Sequence, residues 1–294
     1  IRTTESDFIQ LNGNMVADRL DPNYYETKIG YGLRDRSYNT HIFSLVQTKA
    51  YEVPVAQIDP NNIDRSLYGF DYQFLTAIKP GRFNFTAGAR LELDQDENVY
   101  YHIRAGASIS KDSLYSSASA FRRPALTGGA YGLEIYQSQL NIYEELRISE
   151  TFRTTLYLEG NHYDDDGTID ATAAFAFYGK IYRNGRSAIS AYTEVAGLLG
   201  NNDKSSGYPY WTLKERLYGG FGAGYTFGNL NKDINLSLDA AYFLDTFSDN
   251  FQRYRGSFSY PFDDKLYFTG SLEFYTLKNF YSNNFGVGLR YYLD

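Results

Sequence analysis

The stretch FNFTAGARLELDQDENVYYHIRAGASIS, residues 83–110, decides the fold. Phe83, Phe85, Ala87, Ala89, Leu91 and Leu93 alternate with Asn84, Thr86, Gly88, Arg90, Glu92 and Asp94. After an acidic turn, Val99, Tyr101, Ile103, Ala105, Ala107 and Ile109 alternate with Tyr100, His102, Arg104, Gly106, Ser108 and Ser110. Successive side chains of a strand point to opposite faces, so the segment reads as a hairpin with one apolar and one charged face. Which face is inside depends on the rest of the chain.

Period-2 alternation runs nearly from end to end, and helical periodicity is almost absent. It predicts sixteen strands, at 7–19, 24–35, 39–52, 67–78, 83–94, 99–110, 114–122, 131–148, 152–163, 170–182, 187–199, 215–227, 233–245, 251–260, 265–276 and 283–293. Globular sheets average about five or six residues per strand. These are longer, and reach the roughly 9–11 that a tilted strand needs to cross a bilayer. Two segments are irregular. Residues 41–45 do not alternate cleanly, and 131–148 places Leu133 and Ile135 on one parity but Leu140 and Ile142 on the other, which predicts a β-bulge.

The connectors sort by parity. Tight turns at 79–82, 111–113, 149–151, 183–186, 229–232 and 262–265 each follow an even strand. Longer connectors at 53–66, 123–130, 164–169, 200–214 and 277–282 each follow an odd one. Outer-membrane barrels show this asymmetry, with short periplasmic turns and longer external loops. A soluble sandwich has no reason to produce it.

The apolar faces include Tyr68, Phe70, Tyr72, Phe74 and Ile78 in the fourth strand and Ile234, Leu236, Leu238, Ala240, Tyr242 and Leu244 in the thirteenth. Barrel diameter grows with strand number, and a sixteen-stranded cylinder is too wide for side chains to fill. The apolar faces must therefore meet lipid, with the polar faces lining a wet lumen. Closing the sheet also satisfies every backbone hydrogen bond, as lipid requires. Phe83 and Leu91 then face outward, and Arg90, Glu92 and Arg104 inward. Tyr25, Tyr68, Phe83, Phe152, Phe227, Tyr242, Tyr260 and Tyr291 lie near strand ends, as interfacial aromatic girdles do. The expectation is an all-β, transmembrane, antiparallel up-and-down barrel. It spans residues 1–294 as one domain with both termini periplasmic, excised or processed from a longer protein.

Composition agrees. Among 294 residues there is no Cys, so neither disulfides nor thiolate metal sites arise. A net charge of −7 argues against a nucleic-acid partner. Aromatic residues make up 18%, mostly 30 Tyr and 21 Phe. Mean hydropathy of −0.46 averages over both strand faces and so hides a membrane barrel. No run of about 18 apolar residues provides a transmembrane helix.

Motifs of catalysis are thin. His41, His102 and His162 fall on different strands without paired spacing and read as isolated polar or interfacial residues. Asp164-Asp165-Asp166-Gly167 opens like a calcium loop but lacks the spacing and closing Glu of one. No helix follows Gly219, Gly220, Gly222 and Gly224, so they form no phosphate loop; on a strand the inward ones leave space beside the wall. No Ser/His/Asp set assembles. The reading is a non-enzyme with no catalytic residue, metal or cofactor.

Closed wide barrels are conduits unless something fills them, and no connector is long enough to form a constriction loop, which predicts a monomer. The candidate pore-lining residues are Arg90, Glu92, Arg104, Arg147, Glu159, Tyr178, Tyr192, Glu194, Arg253, Arg255, Glu273 and Arg290. Tyr24, Tyr100, Tyr157, Tyr178, Tyr192, Tyr218, Tyr267, Tyr275 and Tyr292 also fall on the inward parity. Aromatic faces beside carboxylates and guanidinia form a surface on which sugars can slide.

Gly207-Tyr208-Pro209-Tyr210-Trp211-Thr212-Leu213-Lys214-Glu215-Arg216-Leu217-Tyr218-Gly219-Gly220 resembles the G-Y-x-Y-[WF]-[ST]-P-x-x-[YF] signature of outer-membrane barrels with tetratricopeptide N-terminal domains, with Leu213 in place of the Pro. The ending Phe280–Leu293 resembles their closing strand. Those families include exporters of poly-N-acetylglucosamine and of bacterial cellulose. The resemblance implies a passive outer-membrane conduit for polysaccharide export in a Gram-negative bacterium. Its partners would be outer-membrane lipid, a polysaccharide or oligosaccharide cargo, and a periplasmic helical-repeat domain or inner-membrane synthase complex. The alternatives are a diffusion porin for small solutes, and a barrel serving as an anchor or a membrane-embedded enzyme.

Overall fold

The computed structural model describes residues 6–18, 21–51, 64–76, 83–125, 134–165, 167–201, 215–228, 234–247, 249–276 and 282–293. Sixteen strands follow in chain order: β1 (Phe8–Asp18), β2 (Asp21–Arg34), β3 (Thr40–Tyr51), β4 (Asp64–Leu75), β5 (Asn84–Asp94), β6 (Val99–Lys111), β7 (Leu114–Pro124), β8 (Tyr136–Arg147), β9 (Phe152–Tyr163), β10 (Ile169–Asn184), β11 (Ser187–Gly200), β12 (Glu215–Phe227), β13 (Asn235–Asp245), β14 (Phe251–Pro261), β15 (Leu266–Tyr275) and β16 (Ser282–Tyr292). Each pairs antiparallel with its neighbours in sequence, and β1 pairs with β16 to close the barrel. The seam runs without a break from Phe8↔Tyr292 to Asp18↔Ser282.

The register settles the facing. Leu91 opposes Phe70 on one side and Tyr101 on the other, while Arg90 opposes Asp71 and His102. The apolar set is outermost: Leu91 is 59% exposed and Leu45 70%, whereas Arg90 is 5% exposed and Glu92 fully buried. The opening hairpin is inside out. All eight residues read as girdle lie on the outward face, with Tyr242 half-buried.

Two expectations about irregularity change. No bulge interrupts β8, whose pairing with β7 and β9 is continuous. Ile135 instead sits before the strand, buried against Ala125 and Tyr163, so its parity never had to match that of Leu140; Leu133 lies outside the described residues. The register shifts elsewhere, between Val16 and Ala17 against β2, and at Ile181 in β10. The bulged Ile181 lets Tyr182 oppose the outward Ile189. Residues 41–45, despite their uneven pattern, lie in a regularly paired strand.

At the rim where β1 begins and β16 ends, two turns are carboxylate-capped, with an aspartate accepting hydrogen bonds from the backbone two to four residues on. Asp35 Oδ1 accepts from Ser37 N at 2.7 Å and Asn39 N at 2.9 Å. Asp263 Oδ1 accepts from Lys265 N and Leu266 N, both at 2.7 Å, and these donors hold its carboxyl below the usual range. Two-residue reversals use positive φ, at Asp112 (49°) and Gly185 (54°). The tight turns expected at 79–82 and 229–232 lie outside the described residues, as do most of the longer connectors.

Candidate functional site

Period-2 geometry and closure together put every second side chain of each strand on the inner wall. All twelve candidate pore-lining residues occupy that face, because each opposes another inward residue in the ladder. They gather into separate groups around the wall.

The first group lies on β2–β6. Fully buried Asp71 accepts from Arg104 Nη2 at 2.6 Å and Lys28 Nζ at 3.2 Å. Glu92 accepts from Thr48 Oγ1 at 2.6 Å and lies 2.6 Å from His102 Nε2. Arg90 reaches Glu26 at 2.6 Å, with Glu92 and Asp71 at 3.5 and 3.9 Å. A buried carboxylate is tolerated only with several donors, and each of these has them. His102 is thus a partner within this group, a correction to its reading as isolated. Of the other histidines, His41 lies 2.9 Å from the Tyr72 hydroxyl, and His162 is outward and exposed.

The second group lies on β11–β15. Arg253 donates to both oxygens of Glu194, at 2.9 and 2.7 Å, in a bidentate pair. Its guanidinium also stands over Phe243, which stacks on Phe251 at 4.8 Å. Arg255 is held loosely, with Glu273, Asp239 and Glu194 at 3.5, 3.7 and 4.0 Å. On β8 and β9, Arg153 donates to Glu145 at 2.9 Å and covers Tyr178, while Arg147 approaches Glu145 at 3.9 Å. Glu159 receives Asn161 Nδ2 at 2.8 Å and the Tyr157 hydroxyl. Near the seam, Arg290 lies over Phe8 and donates to Gln10 at 3.0 Å.

Three of the nine inward tyrosines do something other than expected, and the other six are half-buried. Tyr24, Tyr100 and Tyr192 are buried, so their rings offer no sliding surface. Their hydroxyls fasten carboxylates: Tyr24 to Glu26 at 2.8 Å, Tyr100 to Asp94 at 3.2 Å, Tyr192 to Asp239 at 2.8 Å and Tyr275 to Glu273 at 2.8 Å. Two of these pairs, Tyr24 with Glu26 and Tyr275 with Glu273, are two residues apart on one strand face, and so are Tyr143 with Glu145 and Tyr157 with Glu159. A recurring Tyr-x-Glu or Glu-x-Tyr was the sequence signal for them.

The glycines of β12 do not leave a gap. A β-carbon at Gly220 would strike Phe243, and one at Gly222 would strike the Tyr192 ring. Elsewhere Phe8 lies over Gly32, Glu92 over Gly69 and Arg104 over Gly88. These five inner side chains therefore lie along the wall. The acidic connector is also committed, since Asp164 accepts from Tyr136 N at 2.7 Å and pairs with Arg122 at 2.7 Å; Asp166 lies outside the described residues. Among the described residues, no group of three or more His, Cys, Asp or Glu could hold a metal ion.

A closed barrel of sixteen antiparallel strands, apolar outside and polar within, is the fold of outer-membrane β-barrels. No protein-family model matches the sequence, and no curated protein does. Among solved structures, one described as a bacterial polysaccharide outer membrane secretin superposes with a TM-score of 0.74, at 6% identity and over 99% of both chains. A loop-deletion mutant of OmpT, an outer membrane protein of Vibrio cholerae, reaches only 0.43 at 13% identity over 98% of both chains. OccAB3 of Acinetobacter baumannii reaches 0.41 at 8% over 98% of both. At 6% identity the first likeness is one of fold, and the other two are too distant to add to it.

Proposed function

We propose that this barrel is an outer-membrane conduit through which a polysaccharide is exported. The observation that carries the reading is the inner wall. Most of its charges are tied to each other or to tyrosine hydroxyls, and several of its long side chains lie over glycines. Such a wall is rich in hydrogen-bonding groups, which suits a hydroxyl-rich polymer. The whole-length likeness to a polysaccharide secretin supports the same reading. In this orientation the tight-turn rim is periplasmic, where a helical-repeat domain or a synthase complex would deliver the polymer.

The test is single-channel conductance of the chain in planar bilayers, with neutral, acidic and amino-sugar oligomers added in turn. A steady conductance interrupted by one oligomer class, with dwell times lengthening with chain length, is expected. A small-solute porin would show interruption independent of length. Folded protein that stays silent, or that no sugar interrupts, overturns the conduit.

A further inference from the structure

The deeply set charges of the inner wall are of both signs, Arg90, Arg216 and Arg253 among them, but those that reach exposure are of one sign. Most carboxylates lie against the sheet: the side chains of Asp71 and Glu92 are 0% exposed, Glu194 9% and Glu145 17%. Asp239 and Glu273 stand a little higher, each capped by a tyrosine hydroxyl. Guanidinia stand above them, with the side chains of Arg255 42%, Arg153 47% and Arg147 63% exposed. Among the described inward strand residues, every charged one that is exposed is an arginine: Arg147, Arg153, Arg183 and Arg255. The chain carries a net −7, yet the surface that a passing molecule meets in this part of the lumen is cationic.

Those four arginines run from the tight-turn rim to the middle of the wall, since Arg147, Arg153 and Arg183 lie at strand ends and Arg255 lies mid-strand. Toward the opposite rim the inward carboxylates are tied down as well. Asp94 pairs with Arg65 at 3.0 Å, Asp245 with Arg216, and Asp170 accepts from Asn161 at 2.7 Å. They do not offset the exposed guanidinia.

A cavity of 430 Å³ opens among the same groups, lined by Arg153, Arg255, Ser257, Ser271 and Asn284, with the tyrosine-capped carboxylates Asp239 and Glu273 in the same lining. Arg255 is the group in it with capacity to spare. Its carboxylate contacts are all 3.5 Å or longer, beyond the usual 2.7–3.2 Å of an N–H···O bond, so its donors are not saturated. A guanidinium presents a planar fork that matches a carboxylate. Two serine hydroxyls and an asparagine amide beside it suit the ring hydroxyls of a sugar.

From this we infer that the cavity is a subsite for an acidic sugar, and that the conducted polymer is polyanionic, its carboxylates received by Arg255 and Arg153. This rests on the conduit reading and adds the charge of the cargo. Of the carboxylates present, Asp239 and Glu273 are each engaged by a tyrosine hydroxyl, Glu194 by Arg253 and Glu145 by Arg153, while Arg153 lies over Tyr178.

The experiment uses the folded chain in planar bilayers. The reversal potential in a KCl gradient is measured first, then block by oligogalacturonate, maltooligosaccharide and chitosan oligomers of equal length. Anion selectivity is expected, with oligogalacturonate binding roughly tenfold tighter than the neutral oligomer, the effect of one charge-assisted pair. Arg255→Gln should abolish that preference, and Arg255→Lys, which keeps the charge but not the fork, should retain the selectivity and lose part of the preference. Arg153→Gln gives a second reading should Arg255→Gln not fold. Block by neutral oligomers without charge preference, or preference for the cationic oligomer, overturns this inference and leaves the conduit standing. Block by none of the three overturns both.

Discussion

The ring of Tyr192 lies flat across Gly222 on the neighbouring strand, so close that a β-carbon there would collide with it. The contact places the Tyr192 hydroxyl 2.8 Å from Asp239 and beside Arg253. Gly222→Ala should push the ring off the wall and cost about 1–3 kcal/mol, as overpacking does. Gly160→Ala, where no atom lies within 4 Å, is the control and should stay within about 0.5 kcal/mol of the parent. Urea unfolding in lipid vesicles, followed by circular dichroism, separates them. Equal midpoints would mean the ring does not need the glycine.

The Arg253–Glu194 pair makes a prediction of opposite sign for one change and for two. Arg253→Leu strands a buried carboxylate and should destabilise by about 3–5 kcal/mol. Adding Glu194→Leu should recover most of the loss, because no uncompensated charge then remains. A double variant no more stable than the single one would contradict the assignment.

The facing of the strands can be tested by where an arginine is tolerated. Leu45→Arg puts a charge in the middle of the lipid face of β3 and should cost about 2–4 kcal/mol. Ser119→Arg sits mid-strand on the inward face of β7 and should cost almost nothing. If the two variants were equally harmful, the inside-out reading of the alternation would fail.

At the rim, the backbone donors of Lys265 and Leu266 lower the carboxyl of Asp263. A group whose folded value is depressed adds stability above its unfolded value, about 3.9 for aspartate, and loses it as pH falls through the folded value. Asp263→Ala should therefore refold less completely than the parent at neutral pH, and the two should converge in acid as the Asp263 carboxyl takes up its proton. Heat-modifiable mobility on gels reads the folded fraction. A gap that persists in acid would place the effect elsewhere.

The strands were legible because alternation is a local signal that lipid enforces on each one separately. Ile9, Leu11 and Met15 declare their face without reference to any other strand. The bulge at Ile181 was not, since Ile181 and Tyr182 both face outward near a strand end and few residues follow in which a parity change could show. Nor was the sign of the exposed charges. Lys28 meets Asp71 across 43 residues, a pairing set by the register of three strands. Parity placed Arg255 and Glu194 on one wall but could not say that one stands up while the other lies beneath it. Gly220 and Gly222 were read correctly as inward and wrongly as empty, because the rings that fill them come from adjacent strands. The Tyr-x-Glu spacing, by contrast, is visible in the sequence at residues 24–26 and 143–145.

The seam between β1 and β16 differs from every other pairing. Fifteen of the sixteen joins link strands adjacent in sequence, whereas Arg290 reaches Gln10 across 280 residues. Closing a loop of that size costs about 3 kcal/mol more than closing one of ten residues. Hairpins can therefore zip in sequence at little cost, but the two outermost strands must search for each other last. Until they meet, both carry unpaired backbone groups in lipid, where each is expensive. Assembly of this barrel should thus be all-or-none in one late step, and the Leu293 N–H to Asp7 carbonyl bond at 2.7 Å lies at the clasp that ends it.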